Sequence, residues 1–256
     1  MRLAIRQTLS LTKRLLLALW RQPWFVAITL VQPMIWLLLF GALFKKVIDI
    51  PGYHGGSYLE FLTPGIVIMS ALFSAGWNGM SLIDAIDRGV MDRFLVSPVW
   101  RGALIACGVL NVAAVIVIQS LVIVAVAFAA GASFSVLAVL MMLALAVLLG
   151  APIAALSSAL ALVTRQEESL IGAVQFVVLP ATFLSSGLMA ANLMPGWIRD
   201  VARFNPVNWA VTAARAVASA GTDWGLVGEH AALLAAMLLL CGWLATRALR
   251  VYQRAV

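Results

Sequence analysis

The chain has 256 residues, of which 64% are hydrophobic and only 11% are charged, and its formal net charge is +7. A soluble globular domain of this length does not need so much apolar surface, and the apolar runs are continuous rather than alternating, which excludes a β-barrel. The composition therefore predicts an all-α integral membrane protein, because helices satisfy their own backbone hydrogen bonds in lipid.

The positive charge reflects membrane topology and does not indicate nucleic-acid binding. Twelve of the 17 Lys and Arg residues fall in segments that we predict on one side of the membrane, as the positive-inside rule requires. Cys107 and Cys241 both lie within apolar runs, so the cysteines predict neither a disulfide nor a metal site.

The first predicted element is a basic amphipathic helix at residues 1–22. Ile5 and Leu9 share one helical face, while Arg6 and Lys13 share another. Such a helix is expected to lie along the anionic cytoplasmic lipid surface. A secretory signal peptide is the alternative, but the apolar run that follows is too long for one.

Six apolar segments are predicted to cross the membrane, which places both termini on the cytoplasmic side. Gly131–Ser133 is a short link that makes the third and fourth spans an antiparallel hairpin. In the fourth span, Gly150, Ala154 and Ser158 recur at every fourth position and form a face that another helix can approach closely. The spans are predicted at residues 23–44, 61–83, 102–130, 134–163, 170–189 and 231–249.

Polar side chains in the second span are unusual for a membrane helix. Ser74, Trp77, Asn78 and Ser81 lie in its later half. Polar groups in lipid are costly, so these side chains should face protein or a water-filled path. Interhelical hydrogen bonding, worth about 0.6 kcal/mol on average, is the alternative interpretation.

Residues 192–223 are predicted to form two short interfacial or re-entrant helices on the outer side, before the last span. Trp197 and Phe204 share one face of the first helix. Asn205 and Pro206 interrupt the pattern, and a helix resumes at Trp209.

A charged stretch, Asp84–Arg101, separates the second and third spans. As a helix, Asp84, Arg88 and Asp92 fall at i, i+4 and i+8 and form a stripe of alternating sign, while Met91 and Leu95 share another side. The pattern fits a docking surface, and it equally fits a solvated loop that only joins two spans.

Catalytic motifs are scarce. The three lysines, Lys13, Lys45 and Lys46, close no phosphate-binding loop, and two histidines are too few for a histidine metal site. Ser185 with His230 suggests a serine protease dyad, but a Ser-Gly pair in a span is more often a packing or kink element.

Two stretches carry a family resemblance. Residues 87–98 read Asp-Arg-Gly-Val-Met-Asp-Arg-Phe-Leu-Val-Ser-Pro. They resemble the acidic-x-Gly-x-x-acidic-Arg-x-x-x-Ser/Thr-Pro segment after the second span of ABC-2 type transporter permeases, although Asp87 stands where Glu is more usual. Residues 179–187 and 194–209 are similar to the fifth-span and outer-helix segments of the same family, in the branch of daunorubicin-resistance and nodulation exporters.

The resemblance covers the whole chain and implies a single ABC-2 transmembrane domain, residues 1–256, in a bacterial inner membrane. The chain would be a transport subunit rather than an enzyme, with no cofactor of its own. It would pair with a second permease chain and with a separate ABC ATPase that binds ATP and Mg. Residues 88–98 would be the coupling helix docked on that ATPase, through Arg88, Gly89, Met91, Asp92, Arg93, Phe94, Leu95 and Pro98.

The resemblance also implies export by alternating access. Candidate residues lining the path are Trp77, Asn78, Gln175 and Ser185, and a candidate outer gate consists of Trp197, Phe204 and Trp209. The expected substrate is a small amphipathic compound such as a drug, an antibiotic or a lipid-like molecule. The alternatives are a polysaccharide or teichoic-acid exporter of the same family and, in another class, an ATPase-independent channel or intramembrane enzyme.

Overall fold

The structure of the chain, a computed structural model, describes residues 23–43, 57–89, 102–189, 194–219 and 222–254. These ranges contain α-helices and no strand, which confirms the all-α prediction. The predicted amphipathic helix at 1–22 and residues 90–101 lie outside the described residues. The helices of the described ranges are α1 (Pro23–Leu43), α2 (Tyr58–Gly76), α3 (Asn78–Asp87), α4 (Gly102–Ala129), α5 (Val136–Thr164), α6 (Glu167–Phe183), α7 (Gly196–Ala202), α8 (Pro206–Ala218) and α9 (Trp224–Arg254).

Four helical stretches in the described part are long and apolar enough to cross a membrane. They are Tyr58–Asp87, Ile105–Ala129, Val136–Thr164 and Trp224–Arg250, and α1 adds a shorter apolar stretch at Ile28–Leu43. The chain is therefore a multi-pass membrane protein. The count of six spans stays a prediction.

Several helix boundaries differ from the predicted spans. The second span starts at Tyr58 and continues to Asp87, with a break at Trp77. The predicted loop at 164–169 shrinks to Arg165 and Gln166, because α6 already begins at Glu167. The last helix starts at Trp224, seven residues before the apolar run that predicted it.

Helix α5 lies at the centre of the bundle and packs against α2, α3, α4, α6, α8 and α9. Its small residues allow this, as predicted: Gly150, Ala154 and Ser158 are all buried, and a Cβ at Gly150 would lie 3.7 Å from the Ala71 carbonyl oxygen of α2. A Cβ at Gly79 of α3 would lie 2.5 Å from the Ser157 carbonyl oxygen of α5. The stripe of small residues thus brings the backbones of α2 and α3 close to α5.

The helices define two ends of the bundle. At one, called the Glu60 end, Glu60 Oε1 accepts hydrogen bonds from the backbone N–H and hydroxyl of Ser133, at 3.0 and 2.7 Å, in the α4–α5 link. The other Glu60 oxygen completes a capping box with Ser57 at the start of α2. The opposite end, called the Asp84 end, holds Asp84 and the beginning of α6.

Helix α8 is anchored to the end of α6 by its capping residue. Asn205 Oδ1 accepts a hydrogen bond from the Val207 N–H, and Pro206 occupies the first helical position. The Asn205 amide donates to the carbonyls of Ala181 and Leu184, at 2.7 and 2.9 Å. Helices α7 and α8 fall within the range predicted for the outer helices, 192–223, and α8 packs against α2, α5 and α9. Their position on the outer side stays a prediction.

Candidate functional site

A cavity of about 740 Å³ lies between α1, the α2–α3 pair, α4 and α6. It extends along α2 and α3 from Ile66 towards Asp84 at the Asp84 end. Its apolar wall includes four aromatic side chains from three different elements of the bundle. They are Trp36, Phe73, Trp77 and Phe183.

Neutral polar side chains form the rest of the wall. Three of them are joined in one chain of hydrogen bonds: the Ser74 hydroxyl donates to Gln119 Oε1 at 2.6 Å, and Gln119 Nε2 donates to Thr29 Oγ1 at 2.8 Å. This network connects α2, α4 and α1 across the cavity wall. The neutral polar lining consists of Thr29, Gln32, Ser70, Ser74, Asn78, Ser81, Asn111, Gln119 and Thr182.

The charged groups of the cavity lie at one end. Asp84 and Glu167 both line it, and among the described residues no Lys, Arg or His does. Asp84 also accepts a salt bridge from Arg88, with 2.9 Å between Arg88 Nη2 and Asp84 Oδ2. Both side chains are more than half exposed, so the pair is weak.

A helix break positions Trp77 and Asn78 beside the cavity. Ser157 of α5 spans the break: its hydroxyl accepts a hydrogen bond from the Gly79 N–H at 2.9 Å and donates to the Gly76 carbonyl. A side chain that enters the backbone ladder in this way is a recognised cause of a helix kink. A Cβ at Gly79 would lie 2.5 Å from the Ser157 carbonyl oxygen, so a larger residue there would force α3 away from α5.

Asn78 both borders the cavity and holds two helices together. Only 8% of its surface is exposed, and its amide donates to the Ala154 carbonyl at 3.2 Å and to Ser158 Oγ at 2.8 Å. Asn78 therefore fits both earlier interpretations, because it lines the cavity and also forms hydrogen bonds between two helices.

Gln175 and Ser185 are not among the residues that line this cavity. Gln175 is half-buried on α6, and the Ser185 hydroxyl donates to the Thr182 carbonyl at 2.7 Å. The Ser185 oxygen also accepts a hydrogen bond from the Gly187 N–H, and its hydrogen bonds in the described residues are to the backbone rather than to His230. The assignment of all four candidate lining residues to a path stays a prediction.

The candidate gate residues lie towards the Glu60 end, away from the cavity wall. Trp197 and Phe204 are 64% and 83% exposed, and Trp209 is half-buried with its indole N–H bonded to the Arg203 carbonyl. Among the described residues that line the cavity, none of these three is present. Their assignment to a gate stays a prediction.

The predicted coupling segment begins where α3 ends. Arg88 caps α3, and Gly89 has a φ of +64°, a left-handed conformation that favours glycine. α3 ends at Asp87, and the predicted stripe is seen in the Asp84–Arg88 pair, while its third member, Asp92, lies outside the described residues. The remaining candidates Met91, Asp92, Arg93, Phe94, Leu95 and Pro98 lie outside the described residues.

Comparison with known proteins identifies the family, because the ABC-2 type transporter family matches residues 6–218 of the chain. The chain belongs to the ABC-2 type transporter family. Family membership makes it a transport permease and implies an ABC ATPase partner. The matched region includes the whole cavity wall.

Curated relatives of this permease are 27–28% identical to it over the aligned residues. The putative transport permease ycf38 of Porphyra purpurea is 28% identical over 222 residues, which are 86% of this chain and 76% of the relative. The daunorubicin resistance ABC transporter permease protein DrrB1 of Streptomyces coeruleorubidus is 27% identical over 214 residues, 83% of this chain and 75% of its own. The probable doxorubicin resistance permease protein DrrC of Mycobacterium tuberculosis is 28% identical over 223 residues, 86% and 79% respectively.

The sequence prediction did not find the residues that line the cavity from outside the second span. Thr29 and Gln119 are isolated polar residues in otherwise apolar runs, and only the hydrogen bonds between their helices reveal a shared role. A search for single polar side chains in each span would have found them, without showing which ones face each other.

Proposed function

We propose that this permease is the membrane subunit of an ATP-driven exporter that moves small amphipathic compounds out of the cell. The observation that carries the proposal is the cavity between α1, α2–α3, α4 and α6, which combines aromatic and neutral polar side chains. Pockets for small molecules have this composition, with an apolar wall that supplies affinity and a few polar groups that fix orientation.

The mixed wall favours an amphipathic compound over a polysaccharide or teichoic acid. A sugar polymer presents hydroxyl groups in every direction and would leave many of them unpaired against Ile66, Val112 and Leu179. Two relatives are named for resistance to daunorubicin and doxorubicin, and this supports the same substrate class.

Two permease chains are proposed to enclose the path, either as a homodimer or with a sister chain. α1 and α6 both border the cavity, and both carry exposed apolar side chains, including Ile28 and Ile35 on α1 and Phe176 and Val177 on α6. A second chain packed against these surfaces would separate the cavity from lipid. Trp197, Phe204 and Trp209 are proposed to close the external end.

The proposed mechanism is alternating access in a bacterial inner membrane, with six spans and both termini in the cytoplasm. A Cβ at Gly41, near the end of α1, would lie 2.6 Å from Leu59 at the start of α2, so α1 ends at the Glu60 end and begins at the Asp84 end. α9 ends at the Asp84 end, since Leu249 packs with Ile105 and Leu162. The ATPase, which would hold ATP and Mg, binds residues 88–98 at that end. ATP must favour one conformation of the complex over the other for this motion to drive export.

The test is co-expression of the chain with the ABC ATPase encoded nearest to its gene, followed by an export assay with the uncharged amphipathic dye N-phenyl-1-naphthylamine. We expect the ATPase to co-purify with the permease, and ATP to raise dye uptake by inverted vesicles above the passive uptake of vesicles that lack the permease. The matched control carries an alanine in place of the phosphate-binding lysine of the ATPase, and this variant should reduce uptake to the passive level. Uptake above the passive level in the absence of ATP would instead support the ATPase-independent channel.

A further inference from the structure

We infer that the Asp84 end of the cavity makes this permease selective for lipophilic organic cations over anions, with Asp84 as the residue that determines this. The inference rests on the proposed function, since it names the charge class of the compound that the same cavity takes. Asp84 and Glu167 are the charged lining residues in the described part of the chain, and both are acidic.

The apolar part of the wall favours the same charge class. Trp36, Phe73, Trp77 and Phe183 present aromatic rings, and the negative face of a ring attracts a desolvated cation. An anion in the cavity would meet two carboxylates and no basic side chain from the described residues. Shape and apolar area are indifferent to sign, so the discrimination comes from the ring faces and from the carboxylates of Asp84 and Glu167.

Asp84 has a second partner that links the cavity to the coupling segment. Its carboxylate is paired with Arg88, the first residue of that segment, across 2.9 Å. A cation at this end of the cavity competes with Arg88 for the same carboxylate. Occupancy of the cavity therefore releases Arg88 at the point where α3 ends and residues 90–101 begin.

The experiment measures binding of two ions of the same shape and opposite sign, tetraphenylphosphonium and tetraphenylborate. The full-length permease is placed in phosphatidylcholine nanodiscs and analysed by equilibrium dialysis against empty nanodiscs. Each ion is compared across variants in the same lipid. The amount of ion that dissolves in the bilayer is then the same for every variant and does not affect the comparison. Saturable binding of tetraphenylphosphonium to the wild type is expected.

Asp84→Asn should weaken tetraphenylphosphonium binding about threefold, the effect of losing one partly exposed charge pair, and should strengthen tetraphenylborate binding. Asp87→Asn is the matched control, because it removes the same charge from the same helix but Asp87 does not line the cavity. Its affinity for both ions should stay within a factor of two of the wild type.

Arg88→Gln tests the competition. It should strengthen tetraphenylphosphonium binding about threefold in the wild type and have no effect in the Asp84→Asn background. If Arg88→Gln acted only through a general change in the electric field, tetraphenylphosphonium affinity would rise equally in the wild type and in Asp84→Asn. That result would overturn the proposed competition between the cation and Arg88.

Equal affinities of Asp84→Asn and Asp87→Asn for tetraphenylphosphonium would overturn the selectivity. So would the absence of saturable binding by either ion, which would mean that lipid or a second permease chain occupies the cavity. The dye export assay is independent of these results, because its probe is uncharged. If the dye is exported but the binding assay shows no preference for tetraphenylphosphonium, this inference is rejected and the proposed function stands.

Discussion

At the scale of single residues, Arg215 has the most demanding surroundings in the described bundle. Its guanidinium donates to the carbonyls of Phe61, Ser186 and Gly187, at 3.1, 2.5 and 2.7 Å, and lies 3.6 Å from the centre of the Phe61 ring. The segment after α6 has left the helical ladder, so these carbonyls need a donor from elsewhere. One planar cation supplies it and joins α2, the segment after α6, and α8.

Arg215→Lys should therefore lower the stability of the permease almost as much as Arg215→Ala. A lysine keeps the charge but has no planar fork, so it cannot satisfy three carbonyls in different directions and stack on the ring as well. The expected loss is about 2–4 kcal/mol, because three partly buried carbonyls lose a charged donor at once. Thermal unfolding of the purified protein in detergent measures it.

Arg199→Ala is the control for this prediction. Arg199 is exposed on α7, so its removal should change the unfolding midpoint little. A lysine at position 215 with the wild-type midpoint would show that charge alone, and not the geometry of the guanidinium, holds the three elements.

At the scale of elements, the break between α2 and α3 connects the cavity to the Asp84 end. Trp77 faces the cavity at the break, and α3 continues to Asp87. The two helical pieces are joined by Trp77 and by the hydroxyl of Ser157, which bonds to Gly76 and Gly79 on either side. Motion of α3 must therefore pass through this hydrogen-bonded joint or break it.

Ser157→Ala should destabilise the permease by about 1–3 kcal/mol, because it removes the partners of a buried backbone N–H and a buried carbonyl at once. The change should also reduce ATP-dependent dye uptake more than it reduces the amount of protein in the membrane. The measurements are the unfolding midpoint and uptake normalised to permease content.

The matched control is Thr164→Ala on the same helix. The Thr164 hydroxyl donates to the Leu160 carbonyl of its own helix, so no backbone group of another element loses its partner. Equal effects of the two substitutions on normalised uptake would contradict a special role for the joint.

The helices could be predicted from the sequence, but the joint and the cavity could not. Continuous apolar runs define the helices because lipid leaves the backbone few alternatives. The break at Trp77 depends on Ser157, about 80 residues further along the chain. Likewise, Gln119 meets Thr29 and Ser74 only because of the relative rotation of three helices, which no local pattern encodes.

The last helix begins before the predicted span for a different reason. The predicted span begins at residue 231, where the apolar run begins. In the structure, Asp223 Oδ1 accepts hydrogen bonds from the backbone N–H groups of Gly225 and Leu226. This cap starts α9 at Trp224, in a region too polar for hydropathy to detect.

At the scale of the whole molecule, the central question is how an ATPase outside the membrane acts on a cavity within it. Residues 88–98 are the proposed point of contact, and the described part of this segment supports a separate docking element. α3 ends at Asp87, and Gly89 turns the chain in a left-handed conformation, with no described residue within 4 Å of where a Cβ at this position would lie. A surface that follows such a turn can project from the bundle, as a docking element must.

The prediction at this scale is that replacing Phe94 and Leu95 together by Asp abolishes ATPase docking and leaves the permease folded in the membrane. Two adjacent apolar side chains are the expected anchors of the docking surface, and carboxylates there would have to be buried without partners on binding. Val136→Asp is the control, since Val136 is 78% exposed at the Glu60 end and an acid is favourable in the first turn of α5. Co-purification of the ATPase should be lost when Phe94 and Leu95 are replaced and kept in Val136→Asp, with equal amounts of permease in the membrane.

If the variant with both Phe94 and Leu95 replaced still retains the ATPase, the contact lies elsewhere. The proposed route from the ATPase through α3 to Trp77 would then have no starting point.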